Sequence, residues 1–376
     1  MTGRNCNICG CDCLPPVGEL FVVANITSDC RPWVAGRSVV LCRGCGLMER
    51  EVLPYNQAAF DDVYKNYIMF KHSQRASDQI NFSQHGSQEG RTQKILKYIS
   101  DNISIIPSSV LDMGSGSGAG LNALANQFPN ASVYGFEPYD KPVERQKSFP
   151  QNVVTIFNRR PEDGKKYDLI TLFHVFEHVA DVHELLTFIS STLTPDGYVL
   201  IQVPYAICGA FDLVIADHIW HFSKKSLLQL LNKTGFSAVY IGNDIIKKEL
   251  TILARLGPPK YDLFQLSDET QQGIESIEFI LRYKLFLESI QGSTNSLAIY
   301  GTGPAAAWAG QILSDKVFAY LDDDPERIGS EFNSKPVLSP KNIDAAMKVL
   351  APFPQYQAQW IVDKNPGLNI ILPSLI

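Results

Sequence analysis

The sequence predicts an α/β fold built on a doubly wound, mostly parallel sheet, with a small cysteine-rich module before it and a second, smaller α/β unit after it. Three observations carry this. Between residues 110 and 204, apolar strand-like runs alternate with helical patterns. Two CxxC pairs, Cys6/Cys9 and Cys42/Cys45, lie near the N-terminus. A strand–glycine turn–helix–strand–acid pattern occurs twice, at 110–137 and at 296–324. The expected division is 1–60 for the cysteine module, 61–265 for the core with its helical lead-in, 266–292 for a helical connector and 293–376 for the last unit.

The composition is that of an ordinary globular chain: 376 residues, 45% apolar and 19% charged. A formal charge of −6 leaves no basic footprint, so no nucleic-acid partner is expected. No apolar run reaches the ~18 residues of a membrane span, and no apolar leader opens the chain. A cytoplasmic location without a membrane partner is expected, where thiols stay reduced and paired cysteines bind metal. Oligomeric state is left open.

Cys6, Cys9, Cys42 and Cys45 form two knuckles, each followed by glycine (Gly10, Gly46). Four thiolates suit a closed structural zinc site. Cys11, Cys13 and Cys30 are spare. No neighbouring histidine or carboxylate marks an open coordination position, so a catalytic zinc is not expected. Residues 47–107 form a bridge containing Tyr64, Tyr67 and Phe70; Gly90–Ile99 has helical periodicity and leads into the core.

Val110-Leu111-Asp112 reads as the end of a buried strand, Gly114 to Gly118 as a turn, and Leu121, Leu124 and Phe128 as one helix face. Ala131–Phe136 is a second strand, followed by Glu137 and Pro138. Such a unit holds a nucleoside: glycines clear the approach, and the acid accepts hydrogen bonds from ribose. A pyrophosphate on GxGxxG would be repelled by Asp112, just ahead of this turn. The run DxGxGxG suits a cationic ligand, such as the sulfonium and amino-acid end of S-adenosylmethionine. The candidate cofactor residues are Asp112, Gly114, Ser115, Gly116, Gly118, Glu137, Pro138 and His174. A glycine turn without ligand is the plainer alternative.

Further strands are expected at Asn152–Phe157, Tyr167–Phe173 and Tyr198–Pro204, with a helix at Val182–Leu193 and a turn at Pro195-Asp196-Gly197. Ligands sit at the carboxyl ends of such strands, where Asp112, Glu137 and His174 should converge. His174 and His178, four apart, read either as a zinc pair or as a wall of the cofactor pocket; with no third ligand evident, the wall is preferred. Asp217-His218 and His221 follow in Phe211–Ser223. An imidazole beside a carboxylate suits proton transfer near neutral pH. Ser223 can also cap a helix bearing Leu227, Leu228 and Leu231. Glu269–Ile290 is a helical connector. Gly301-Thr302-Gly303-Pro304 opens the second glycine unit, where Pro304 removes one donor N–H. Bound NAD is not expected there.

DMGSGSG resembles the first motif of class I methyltransferases, and DLITLFHVFEHV…LTPDGYVLIQVP resembles their later strands. Zinc module, methyltransferase core and Rossmann-like domain, in that order, are similar to the C-methyltransferases of nucleotide-linked deoxysugars. The resemblance implies S-adenosylmethionine as cofactor, a structural zinc, a nucleotide-linked sugar as substrate, and methylation of the carbon beside a ketone of a dTDP-4-keto sugar. The family tract FDxxxxHEHxxYFS stands here as FDLVIADHIWHFS. Asp217 replaces a glutamate, His218 keeps the base position, Ala216 replaces a histidine and His221 a tyrosine. By resemblance His218 is the base with Asp217 orienting it, and Tyr64, Tyr67 or His178 stabilises the enolate oxygen. Tyr205, His221, Gly301, Thr302 and Gly303 would face the substrate. The departures leave O- or N-methylation of a sugar or small metabolite as an alternative. More distant are an enzyme whose last domain binds NAD and a non-catalytic scaffold.

Overall fold

The computed structural model describes residues 4–14, 25–33, 39–50, 63–64, 90–116, 118–138, 149–161, 164–261, 263, 268–293, 296–353 and 355–373. Tyr67 and Phe70 lie outside them.

The central sheet has seven strands, in the order Phe236–Gly242, Glu249–Leu256, Leu193–Pro204, Tyr167–Phe173, Ser109–Met113, Ser132–Phe136 and Val153–Phe157. Six strands run one way, and Glu249–Leu256 runs against both of its neighbours. The middle strands are near-continuous apolar runs because helices cover both faces. Val110, Val133, Leu169, Leu200 and Leu253 pack with Ile95, Leu96, Leu121 and Leu124 of helices Arg91–Ile103 and Ala119–Gln127. Leu111, Ile170, Leu172, Val199 and Ile201 pack with Leu185, Leu186, Leu227 and Leu231 of helices Val182–Thr192 and Lys224–Lys233. Ser223 caps the latter helix as expected, its hydroxyl accepting from Ser226 N at 2.9 Å.

One expected boundary moves. Pro195-Asp196-Gly197 does not precede a strand but lies within Leu193–Pro204. Leu193 already pairs with Tyr167, and the irregularity is absorbed before Tyr198.

The cysteine module is not a separate body. Its antiparallel strands Cys13–Leu14, Val39–Cys42 and Met48–Arg50 are extended by Trp220–His221 from the core. Arg50 is buried and crosses the same boundary, its guanidinium donating to Leu213 O at 2.6 Å and His218 O at 3.3 Å. A buried guanidinium needs such acceptors, so this seam is specified.

The connector is the helix Thr270–Ser293. It leads to a six-stranded sheet, ordered Glu331–Phe332, Lys335–Leu338, Val317–Leu321, Leu297–Tyr300, Lys348–Leu350 and Asn369–Ile371. All pairings are parallel except the first. Ile277, Tyr283 and Leu287 of the connector share one buried cluster with Trp308, Leu213 and Ile26. Among the described residues no helix is long and apolar enough to cross a membrane.

Candidate active site

The turn after Ser109–Met113 has the backbone its glycines require. Gly114, Gly116 and Gly118 have φ of +73°, +49° and +89°. Their second role is internal. A Cβ on Gly114 would lie 2.3 Å from Val175, and one on Gly118 2.6 Å from the Phe149 ring. Gly114 N and Ser115 N donate to Phe136 O at 2.7 and 3.0 Å. Gly116 N donates to Glu137 Oε2 at 2.9 Å, so the acid does converge on the turn. Pro138 is exposed at its rim. Ser115 Oγ is buried without a hydrogen-bond partner among the described residues, as expected for a lining that a polar ligand completes.

Asp112 lies deeper than expected. It is 3% exposed, Oδ1 accepts from Thr171 Oγ1 at 2.7 Å, and a Cβ on Gly120 would come within 2.7 Å of Oδ2. It braces the turn from beneath rather than lining the cleft. Burial pushes its carboxyl up to about 7, against the Thr171 hydrogen bond.

His174 ends the neighbouring strand with φ +54°. Nδ1 lies 3.2 Å from Glu177 Oε1, and Nε2 meets Arg91, which is ion-paired with Glu249. His174 and His178 do not share a helix face. Phe176–His178 is one 3-10 turn, and His178 reaches instead toward Asp217.

The four cysteines converge. Cys6 Sγ–Cys45 Sγ is 3.7 Å, Cys9 Sγ–Cys42 Sγ is 3.2 Å, and all four sulfurs lie within 4.8 Å of one another. Tetrahedral zinc with bonds of about 2.3 Å separates its sulfurs by about 3.8 Å. Backbone N–H groups of Ile8, Cys9, Cys11 and Gly44 point at these sulfurs at 3.3–3.5 Å, as thiolates require. The residues fit a closed zinc site.

The histidine cluster corrects one expected pairing. The carboxylate holding His218 is Asp212, not Asp217: Nδ1 donates to Oδ1 at 2.6 Å. Asp212 Oδ2 accepts from His221 Nδ1 at 2.5 Å. Burial opposes charge on His218, but Asp212 outweighs it and raises the imidazole to about 9. Burial likewise works against ionised Asp212, yet the two imidazoles hold it below the usual carboxylate range. Asp217 faces elsewhere. It accepts from Ser28 N at 2.7 Å, Ser28 Oγ at 2.5 Å and Tyr64 Oη at 3.4 Å. His178 Nδ1 donates to the backbone oxygen of Asp217 at 2.9 Å. Burial and the neighbouring His218 push the His178 imidazole down, against Glu177 and Asp217. The His178 and His218 rings meet edge to face, centroids 4.6 Å apart, and Tyr64 packs on His178 at 5.7 Å. Glu177 lies beneath them, fully buried.

The residues expected to face the substrate have these surroundings. His221 is 0% exposed and is held as the second partner of Asp212. Tyr205 is buried with its hydroxyl donating to Glu269, which in turn accepts from Lys224 N at 2.7 Å. In the second glycine turn, Thr302 Oγ1 donates to Asp322 at 2.6 Å and accepts from Arg327 at 2.5 Å. A Cβ on Gly301 would lie 2.8 Å from Phe353, while Gly303 begins helix Pro304–Leu313 in open space. Sequence reasoning missed Asp212, Ser28 and Glu177. Only Asp212 carried a signal, in the FD of the FDLVIADH tract.

Residues 85–241 match the family model of a methyltransferase domain. The C-methyltransferase NovU of Streptomyces niveus is 25% identical over 282 residues, covering 69% of this chain and 62% of its own. The ubiquinone biosynthesis O-methyltransferase of Marinobacter nauticus is 26% identical over 117 residues, 28% of this chain and 48% of its own. The chain thus spans less than two thirds of the length of these curated relatives. Among solved structures, the 1,6-didemethyltoxoflavin-N1-methyltransferase of Burkholderia thailandensis aligns at 15% identity over 59% of this chain and 96% of its own, with a TM-score of 0.40. With an acid on the glycine turn inside the matched segment, residues 85–241 of this chain form a methyltransferase domain.

Proposed function

We propose that this chain transfers a methyl group from S-adenosylmethionine to a carbon beside the ketone of a nucleotide-linked 4-keto deoxysugar, with a structural zinc at its four cysteines. The observation that carries this is the buried Asp212–His218 pair beside Tyr64 and His178. An amine can attack the methyl group as it stands, whereas a hydroxyl or a carbon acid must lose a proton, and a carboxylate-backed imidazole is the group for that. NovU, a C-methyltransferase by name, is the relative matched over the greatest length of those compared above.

The donor supplies an electrophilic methyl group when bound. Ser115 and Gly116 would hold it with Glu137 on the ribose. His218, backed by Asp212, takes the proton alpha to the ketone at Nε2. Tyr64 turns its hydroxyl to the developing enolate oxygen, which needs a preorganised donor. His178, its Nδ1 held by the Asp217 carbonyl, orients a substrate hydroxyl with Nε2. Reactants held in line account for much of the acceleration.

The test is a panel of nucleotide-linked keto sugars with a donor carrying a labelled methyl group. Product NMR should show a new C–CH₃ signal. An O–CH₃ or N–CH₃ signal would move the reading to the alternative chemistry. Donor binding with no turnover of any sugar would overturn it.

A further inference from the structure

Residues 25–33 form a short hairpin, Asn25–Ile26 against Pro32–Trp33, that belongs to neither glycine unit. One edge runs along residues 215–217, just before His218. Ile26 pairs with Ile215, Ala216 N donates to Ile26 O at 2.7 Å, and Ser28 gives both its donors to Asp217. Arg31 also donates to Val63 O at 3.1 Å, next to Tyr64. The other edge is held by the C-terminal unit. Asn333 donates to Cys30 O at 3.1 Å and Gln311 to Trp33 O at 3.4 Å. Ile26 and Ile215 share their buried cluster with Ala306 and Trp308 of that unit.

Ser28 decides what Asp217 does. The Asp217 carboxylate lies 3.4 Å from His178 Nδ1, while its backbone oxygen holds that nitrogen at 2.9 Å. Two donors from Ser28 keep the carboxylate occupied, so His178 stays on the neutral carbonyl. We infer that Ser28 is a positioning residue for methyl transfer, and that its hairpin makes the C-terminal unit part of the catalytic assembly. This rests on the reading of Tyr64, His178 and His218 as the groups that handle the substrate. It gives the last domain a purpose that needs no bound nucleotide.

The experiment compares Ser28→Ala, Ser28→Thr and Asn333→Ala in the full zinc-loaded chain. Steady-state kinetics, calorimetry with the demethylated donor and ¹⁵N NMR of His178 are read together. Ser28→Ala should lower kcat by about 10- to 100-fold, the cost of a small misplacement, with donor affinity unchanged. Its His178 resonances should move toward those of a carboxylate-paired imidazole with a higher titration midpoint. Ser28→Thr keeps the hydroxyl and should stay near the parent. Asn333→Ala should lower kcat less, again without loss of donor binding. An unchanged His178 spectrum and kcat in Ser28→Ala would overturn the inference, and so would equal damage from Ser28→Thr. The spectrum needs no substrate, so it decides the role of Ser28 even if every keto sugar fails.

Discussion

At the scale of single residues, the site turns on one carboxylate shared by two imidazoles. A base works only in its neutral form, and Asp212 holds the His218 proton to about 9. Below that pH each unit lost cuts the neutral fraction about tenfold. The logarithm of kcat/KM should therefore climb with a slope near one and level off above about 9; a flat profile from 6 to 9 would exclude His218 as the base. His218→Asn should cost about 10²- to 10⁴-fold in turnover with donor affinity intact, the usual worth of a general base. Asp212 stands six residues from His218 and nine from His221, spacings that no helix or strand period explains. Sequence adjacency put Asp217 beside His218, but neighbouring residues rarely point the same way, and Asp217 faces Ser28 instead.

At the scale of elements, two devices carry testable weight. The knuckles should hold about one zinc per chain, measured by elemental analysis. Because Met48 and Glu49 pair with Trp220 and His221, removing that metal should lower the melting temperature and perturb the histidine cluster as well. A metal-free chain with an unchanged melting temperature would reject the site. The glycine turn is the second device. Gly114→Ala must adopt φ +73° and meets Val175 at 2.3 Å. The backbone penalty alone is about 1–3 kcal/mol, and urea unfolding with donor calorimetry should show loss of both stability and affinity.

At the scale of the molecule, buried contacts join the cysteine module, core and last domain. Trp308, fully buried, lies in the cluster that spans the connector, the hairpin and residues 213–215 ahead of His218. Trp308→Ala should cost about 3–5 kcal/mol in a single cooperative unfolding transition. Two separate transitions, with the core unaffected, would contradict that joining.

The sequence by itself determined five of the seven central strands, both glycine turns, the acid on the first of them and the two cysteine knuckles, but not Phe236–Gly242 or the reversed strand Glu249–Leu256. Each feature it determined is a local pattern, set by side-chain period, by φ that only glycine adopts readily, or by ligands within a few residues. Tertiary structure alone decided that Asp212 backs His218, that His221 and Tyr205 are buried, and that Trp220–His221 completes the cysteine module's sheet. It also brought Ser28 to Asp217 across 189 positions of chain. Such pairings depend on how distant segments share one buried space, where every donor must find an acceptor, and no local period encodes that choice.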